Sequence, residues 1–268
     1  MGCLNWLSIS TRPDITSIVT LLAAHQASPL QGHLNAALHV VQYLASTLDN
    51  GISFTFHQKM DLNSFLHYPL PTDVPTGLSD SNWGPVDASK TKPTAKPIER
   101  NPDSFRSVSG SLIFYCNGPV SWGAQRQTLT ALSSCEAEIN ATNETVKSIL
   151  ELRILFRNLN LPLQSLVPVY NDNKGTVDWC KETITKETRH IDLQENHVKE
   201  NINSTISLTH VPGKTNLADI FKRASKFDSA ETCSSLKAAT SSAMLWSTTL
   251  KFGASSRASK RPSIDMVL

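Results

Sequence analysis

From about Ser134 to Leu159 the sequence carries apolar residues at helical spacing, and the two faces of that stretch differ sharply. Steps of three or four from Glu138 give Thr142, Thr145, Ile149, Leu152 and Phe156; from Glu136 they give Asn140, Asn143, Lys147 and Glu151. A helix of about seven turns with one apolar face has to lay that face on something broad, and a sheet is the natural support. The flanking sequence supplies strands. One ends near Asp80-Ser81-Asn82-Trp83-Gly84, and a polar loop with Pro93, Pro97 and Pro102 leads to a hairpin of Leu112-Ile113-Phe114-Tyr115 and Val120-Ser121-Trp122. Beyond the long helix come the strand Val167-Pro168-Val169-Tyr170, a short helix after Asn173, and a helical stretch around Asp192 to Glu200. The strand Ser204-Thr205-Ile206-Ser207-Leu208, a Pro212-Gly213 turn and a helix opened by Asn216 complete the series. The order βββ-α-β-α-α-β-α predicts an α/β chain, a mixed sheet with helices packed on its faces.

The N-terminal region has another texture. Asp14 to Leu22, and then Leu34, Leu38, Val41 and Leu44, read as two short helices entered at Pro13 and Pro29. A strand-like Ile52-Ser53-Phe54-Thr55-Phe56 follows, and Pro69, Pro71 and Pro75 mark a linker. Three regions result: a helical segment 1–75, a domain 76–224 of alternating strands and helices and a Ser-rich basic tail 225–268, read as solvated. With 268 residues, 40% apolar and 18% charged, the chain has the composition of a globular protein rather than a disordered or fibrous one. The longest apolar run, Ile18 to Ala24, is broken at Thr20 and far short of a membrane span, so no membrane partner is expected. Five scattered cysteines without a Cys-x-x-Cys pair argue against a disulfide framework and a zinc site. No targeting signal is visible, and the expected compartment is the cytoplasm, with the nucleus as the other candidate.

Four acids stand where elements begin or end: Asp80, Glu138, Asp172 and Asp219. Such positions collect side chains from distant sequence at one sheet edge, and clustered carboxylates suit a hard divalent cation. Each has a structural alternative. Asp80 fits a turn, Asp172 a helix cap that Asn173 can equally provide, and Asp219 the positive end of a helix. Glu136 and Glu138 separate by geometry: at about 100° per residue they point some 200° apart. Ser133-Ser134-Cys135-Glu136 fits a capping box, which leaves Glu138 on the inward face, where a buried acid needs a partner or a metal.

Seven ordered stretches carry a resemblance. They are Leu78-Ser79-Asp80-Ser81-Asn82-Trp83, Arg106 to Leu112, Pro119-Val120-Ser121-Trp122, Ala131 to Glu138, Tyr170-Asn171-Asp172-Asn173, Arg189-His190-Ile191-Asp192 and Leu217-Ala218-Asp219-Ile220-Phe221. Together the chain resembles the C-terminal part of a copia-type retrotransposon polyprotein, its ribonuclease H domain. Ser10-Thr11-Arg12-Pro13-Asp14-Ile15 and the following helices resemble the end of the reverse transcriptase region. The resemblance implies a ribonuclease H-like fold with a mixed five-stranded sheet flanked by helices. It also implies two Mg²⁺ or Mn²⁺ ions on Asp80, Glu138, Asp172 and Asp219, and hydrolysis of the RNA strand of RNA·DNA hybrids. A separate polymerase part is the expected protein partner. No Asp-Asp pair occurs, so the Tyr-x-Asp-Asp polymerase motif is absent and no polymerase activity is expected. A long loop from Gly84 to Asp103, and Phe221-Lys222-Arg223 in place of the family's Phe-Thr-Lys, depart from the pattern without touching the acids. His190 and His210 read as structural, although His210 stands close enough to the acids in sequence to pass protons. A folded remnant without activity is the alternative of a different class; an integrase-type nuclease lacks its zinc ligands here.

Overall fold

The computed structural model describes residues 1–52, 54, 68–71, 73–83, 106–181 and 193–222. Five strands, β1 (Thr76–Asn82), β2 (Val108–Tyr115), β3 (Gly118–Arg126), β4 (Val167–Asn171) and β5 (Ile206–His210), form one sheet in the order β3-β2-β1-β4-β5. The helices are α1 (Gly2–Ser10), α2 (Thr16–Ala24), α3 (Gln31–Ser46), α4 (Ser134–Asn158), α5 (Lys174–Lys181), α6 (Leu193–Asn201) and the short α7 (Asp219–Lys222). Strands β1, β2 and β3 pair antiparallel, while β4 runs parallel to both β1 and β5. This is the ribonuclease H-like arrangement that the resemblance implies. The β2–β3 hairpin closes through Cys116 and Asn117, both at positive φ (53° and 60°), the backbone a two-residue turn needs to match strand twist. Parallel pairing needs long crossovers instead, and α4, then α5 with α6, provide them.

The ends of α4 explain its length. Ser133 Oγ accepts from Glu136 N–H (3.1 Å), and Glu136 Oε2 accepts from Leu132 N–H (2.6 Å), so the expected capping role of Glu136 is seen directly. At the far end Asn160 takes φ 58°, and Leu161 N–H bonds Phe156 O (2.9 Å) while Asn160 N–H bonds Arg157 O (3.0 Å), a left-handed stop. Ser133→Ala is expected to lower stability by about 1 kcal/mol in urea denaturation.

Glu138, Thr142, Thr145 and Ile149 are buried, as the stepping from Glu138 requires. The opposite face departs from expectation. Asn143 is fully buried, because α6 covers that side and His197 Nδ1 lies 2.8 Å from Asn143 Oδ1. Between α4 and the sheet lies one core, with Ile113, Val146, Ile149, Val167, Val169 and Leu208; the opposite sheet face carries another, with Leu78, Leu112, Phe114, Ala218 and Phe221.

Three N-terminal features correct the sequence reading. Helix α1 was not expected from its residues; it is held by tertiary contacts, with Leu4 buried and Ser8 O accepting from Trp122 Nε1–H of β3 (2.7 Å). In α3 the buried residues are Ala36, Val40 and Tyr43, whereas Leu34, Leu38 and Val41 are exposed. This helix is apolar on two sides, and hydrogen bonding selects the inner one: Tyr43 donates to Asp14 Oδ2 (2.9 Å), which also pairs with Arg12 Nη2 (2.6 Å). The proline segment, expected as a linker, is pinned to the sheet. Tyr68 is buried and donates to Thr215 O (2.9 Å), and Tyr170 donates to Pro69 O (2.9 Å). Burial, and then each other's proximity, raise the Tyr68 phenol, and burial raises that of Tyr170, so both remain protonated donors. Helix α2 also reaches the sheet unit, Ser17 Oγ–H donating to Phe221 O (2.9 Å) and Thr20 Oγ1–H to Ala124 O (3.2 Å).

Of the expected strand 52–56, Ile52 and Phe54 lie in no regular structure and the rest is outside the described residues. The loop 84–103, the stretch 189–192 with His190, and the tail 225–268 are outside them as well. No disulfide joins the described cysteines, Cys3, Cys116, Cys135 and Cys180, and no described helix is long and apolar enough to cross a membrane.

Candidate metal centre

Asp80 lies inside β1, two residues before its end, and not in a turn. Its antiparallel partner is Gly110 of β2, and paired residues share a sheet face. That face is covered by the segment Ala218–Phe221, and the approach is close. A Cβ on Gly110 would stand 2.8 Å from Phe221 Cβ and 3.0 Å from Ala218 O, so only glycine admits the segment at this distance. Glu138 enters from the second turn of α4, and Asp172 follows directly on the end of β4.

One carboxylate oxygen from each of Asp80, Glu138 and Asp172 lies within 4.8 Å of the other two. Asp80 and Glu138 are buried and Asp172 is half-buried, so the group opens toward solvent on the Asp172 side. Asp219, the first residue of α7, is not in this group among the described residues. Its backbone N–H bonds Asn216 O (3.1 Å), and Asn216 ties the turn to β1 by donating from Nδ2 to Ser79 O (2.9 Å). The site therefore gathers three of the four expected acids, with the fourth on a turn anchored beside Asp80.

Glu138 is held at both oxygens. Ser81 N–H donates to Oε1 (3.1 Å), and Asn171 Nδ2–H donates to Oε2 (2.9 Å). Asn171 Nδ2 also reaches Ser79 Oγ (3.0 Å), and its Oδ1 accepts from Asn173 N–H (2.8 Å). Asn173 Oδ1 in turn accepts from Thr176 N–H (3.1 Å), so Asn173 caps α5 and Asp172 is not needed as a cap. Gly213 completes the wall: a Cβ there would stand 2.8 Å from Asp172 Oδ2. His210, at the end of β5, directs Nε2 at the backbone O of Asp172 (3.1 Å); a carbonyl only accepts, so Nε2 carries the proton.

Sequence reasoning passed over Asn171, Gly110 and Gly213. Asn171 stood beside Asp172 in Tyr170-Asn171-Asp172-Asn173, and Gly213 read only as part of a Pro-Gly turn. Nothing local in the sequence around Gly110 announces its contact, which is made with residues more than a hundred positions away.

Chemically, three carboxylates so close repel one another unless a proton or a cation intervenes. The donor set is all oxygen, which fits magnesium or manganese better than zinc.

Among known proteins, the retrovirus-related Pol polyprotein from transposon RE2 of Arabidopsis thaliana is 26% identical over 82% of this chain. The relatives of this chain include further retrovirus-related Pol polyproteins of transposons. The chain spans 13% of the length of the RE2 relative. Secreted RxLR effector protein 161 of Plasmopara viticola is 30% identical over 59% of this chain and 91% of its own length. No family model matches. Among solved structures, LC11-RNase H1 isolated from compost aligns with 56% of this chain and 92% of its own at 13% identity and a TM-score of 0.37. The strand order and directions described above, rather than that superposition, identify the fold of this chain.

Proposed function

We propose that this protein is a metal-dependent endonuclease that hydrolyses the RNA strand of RNA·DNA hybrids. The observation that carries the reading is the convergence of Asp80, Glu138 and Asp172, from β1, α4 and the end of β4, within 4.8 Å. Asp80, Glu138 and Asp172 would hold the first of two divalent ions, with Asp219 completing the set from α7. Magnesium or manganese there would supply an activated water and neutralise the charge that grows on the departing 3′ oxygen. The protein's own part is positional. Ser81 N–H and Asn171 Nδ2–H fix the plane of the Glu138 carboxylate, and the half-buried Asp172 presents the open side to a phosphodiester. Choice of RNA over DNA would rest on contacts to 2′-hydroxyls.

The test is a labelled RNA·DNA hybrid incubated with the chain in Mg²⁺ or Mn²⁺. Endonucleolytic products from the RNA strand, abolished by chelation and absent with duplex DNA, are the expected result. Hybrid binding without cleavage in either metal would instead identify a folded remnant.

A further inference from the structure

Asn171 is fully buried and stands where the three acid-bearing elements meet. Its Nδ2 donates to Glu138 Oε2 of α4 (2.9 Å) and to Ser79 Oγ of β1 (3.0 Å), while its own backbone leads directly into Asp172. Ser79 precedes Asp80, and its hydroxyl also shares a hydrogen bond with Thr142 Oγ1 (3.0 Å), one turn along α4 from Glu138. An amide is suited to this place. It offers two N–H donors to a carboxylate and a hydroxyl and one acceptor to the N–H of Asn173, without adding a fourth charge to the group. An aspartate would turn an oxygen toward Glu138 Oε2, and a short side chain would leave that oxygen free to rotate.

We infer that Asn171 is the positioning residue of the acid group, setting the direction in which Glu138 presents its carboxylate to a divalent ion. The inference rests on the metal-dependent reading above and adds a residue that does not itself touch the ion. It acts through Glu138, so its effect must disappear when Glu138 is gone.

Titration calorimetry with Mn²⁺ on the full chain tests this. Asn171→Ala is expected to weaken Mn²⁺ binding about 10- to 100-fold, the usual cost of losing a group that orients a ligand. In a Glu138→Ala background the same substitution is expected to change affinity by less than about twofold, whereas a general loosening of the site would weaken binding equally in both backgrounds. Asn171→Ser repeats the measurement should the alanine variant fail to fold, since its hydroxyl is one bond too short to hold Glu138. Equal affinity of wild type and the folded Asn171 variant overturns the inference alone, and so does an undiminished effect in the Glu138→Ala background. A wild-type chain that binds no Mn²⁺ overturns both the inference and the metal-dependent reading.

Discussion

Asp80→Asn and Asp172→Asn are each expected to lower cleavage of an RNA·DNA hybrid by at least about 100-fold, the cost of removing one group that acts on the charge of a transition state. Asp80→Asn should at the same time make the protein more stable in metal-free buffer. Three carboxylate oxygens lie within 4.8 Å of one another, two of the side chains buried. At such a separation two unit charges repel by about 3 kcal/mol at an effective dielectric of about 20. The amide keeps the shape of the side chain and removes one of the charges, for an expected gain of about 1–3 kcal/mol in urea denaturation with chelator present. Mg²⁺ should then stabilise the wild type more than the variant, because an ion that binds only the folded state adds its binding energy to folding. Cleavage by either variant at the wild-type rate would remove these carboxylates from the chemistry. A variant less stable than wild type in chelator would mean that repulsion does not dominate the group. Opposite movement of activity and stability is the signature of a site kept at the expense of the fold.

Gly110→Ala is expected to destabilise the protein by about 1–3 kcal/mol and to reduce cleavage as well. The added methyl would meet Phe221 Cβ at 2.8 Å and Ala218 O at 3.0 Å, neither of which is the free end of a flexible side chain. Relief requires the whole segment to move, and the segment carries Asp219 at the start of α7 and the Phe221 carbonyl that accepts from Ser17 of α2. Gly123→Ala on the neighbouring strand is the control. There the nearest atom is Ser111 Oγ at 3.4 Å, an ordinary contact, and neither stability nor cleavage should change appreciably. Equal behaviour of the two variants in urea denaturation and in the hybrid assay would show that the segment is not seated on Gly110 as described.

Much of this was legible in the chain itself. The alternation of elements that makes the sheet and its crossovers follows from short-range patterns, which is why β1 to β5 and α4 to α6 fall close to where periodicity, prolines and turn residues put them. Glu138 could be told from Glu136 because helical pitch turns a two-residue separation into opposite faces, and the capping bonds of Ser133 and Glu136 agree. What periodicity cannot state is which apolar face meets a partner. Leu34, Leu38 and Val41 had the right spacing and are exposed, while Asn143 had the wrong polarity and is buried under α6.

The sequence by itself determined the strands β1 to β5, the crossover helices α4 to α6 and the inward direction of Glu138 on the long helix, since each depends on neighbours a few residues apart. Only the tertiary structure decided that Asp80, Glu138 and Asp172 form one group, that Asp219 stands outside it on a tethered turn, and that Asn171 holds Glu138 from 33 positions away. It also decided where a glycine is indispensable, because the atoms that exclude a Cβ at Gly110 and Gly213 come from other elements of the chain. Distances of a few ångströms between residues far apart along the chain are fixed by packing against a common sheet, and no local pattern records them.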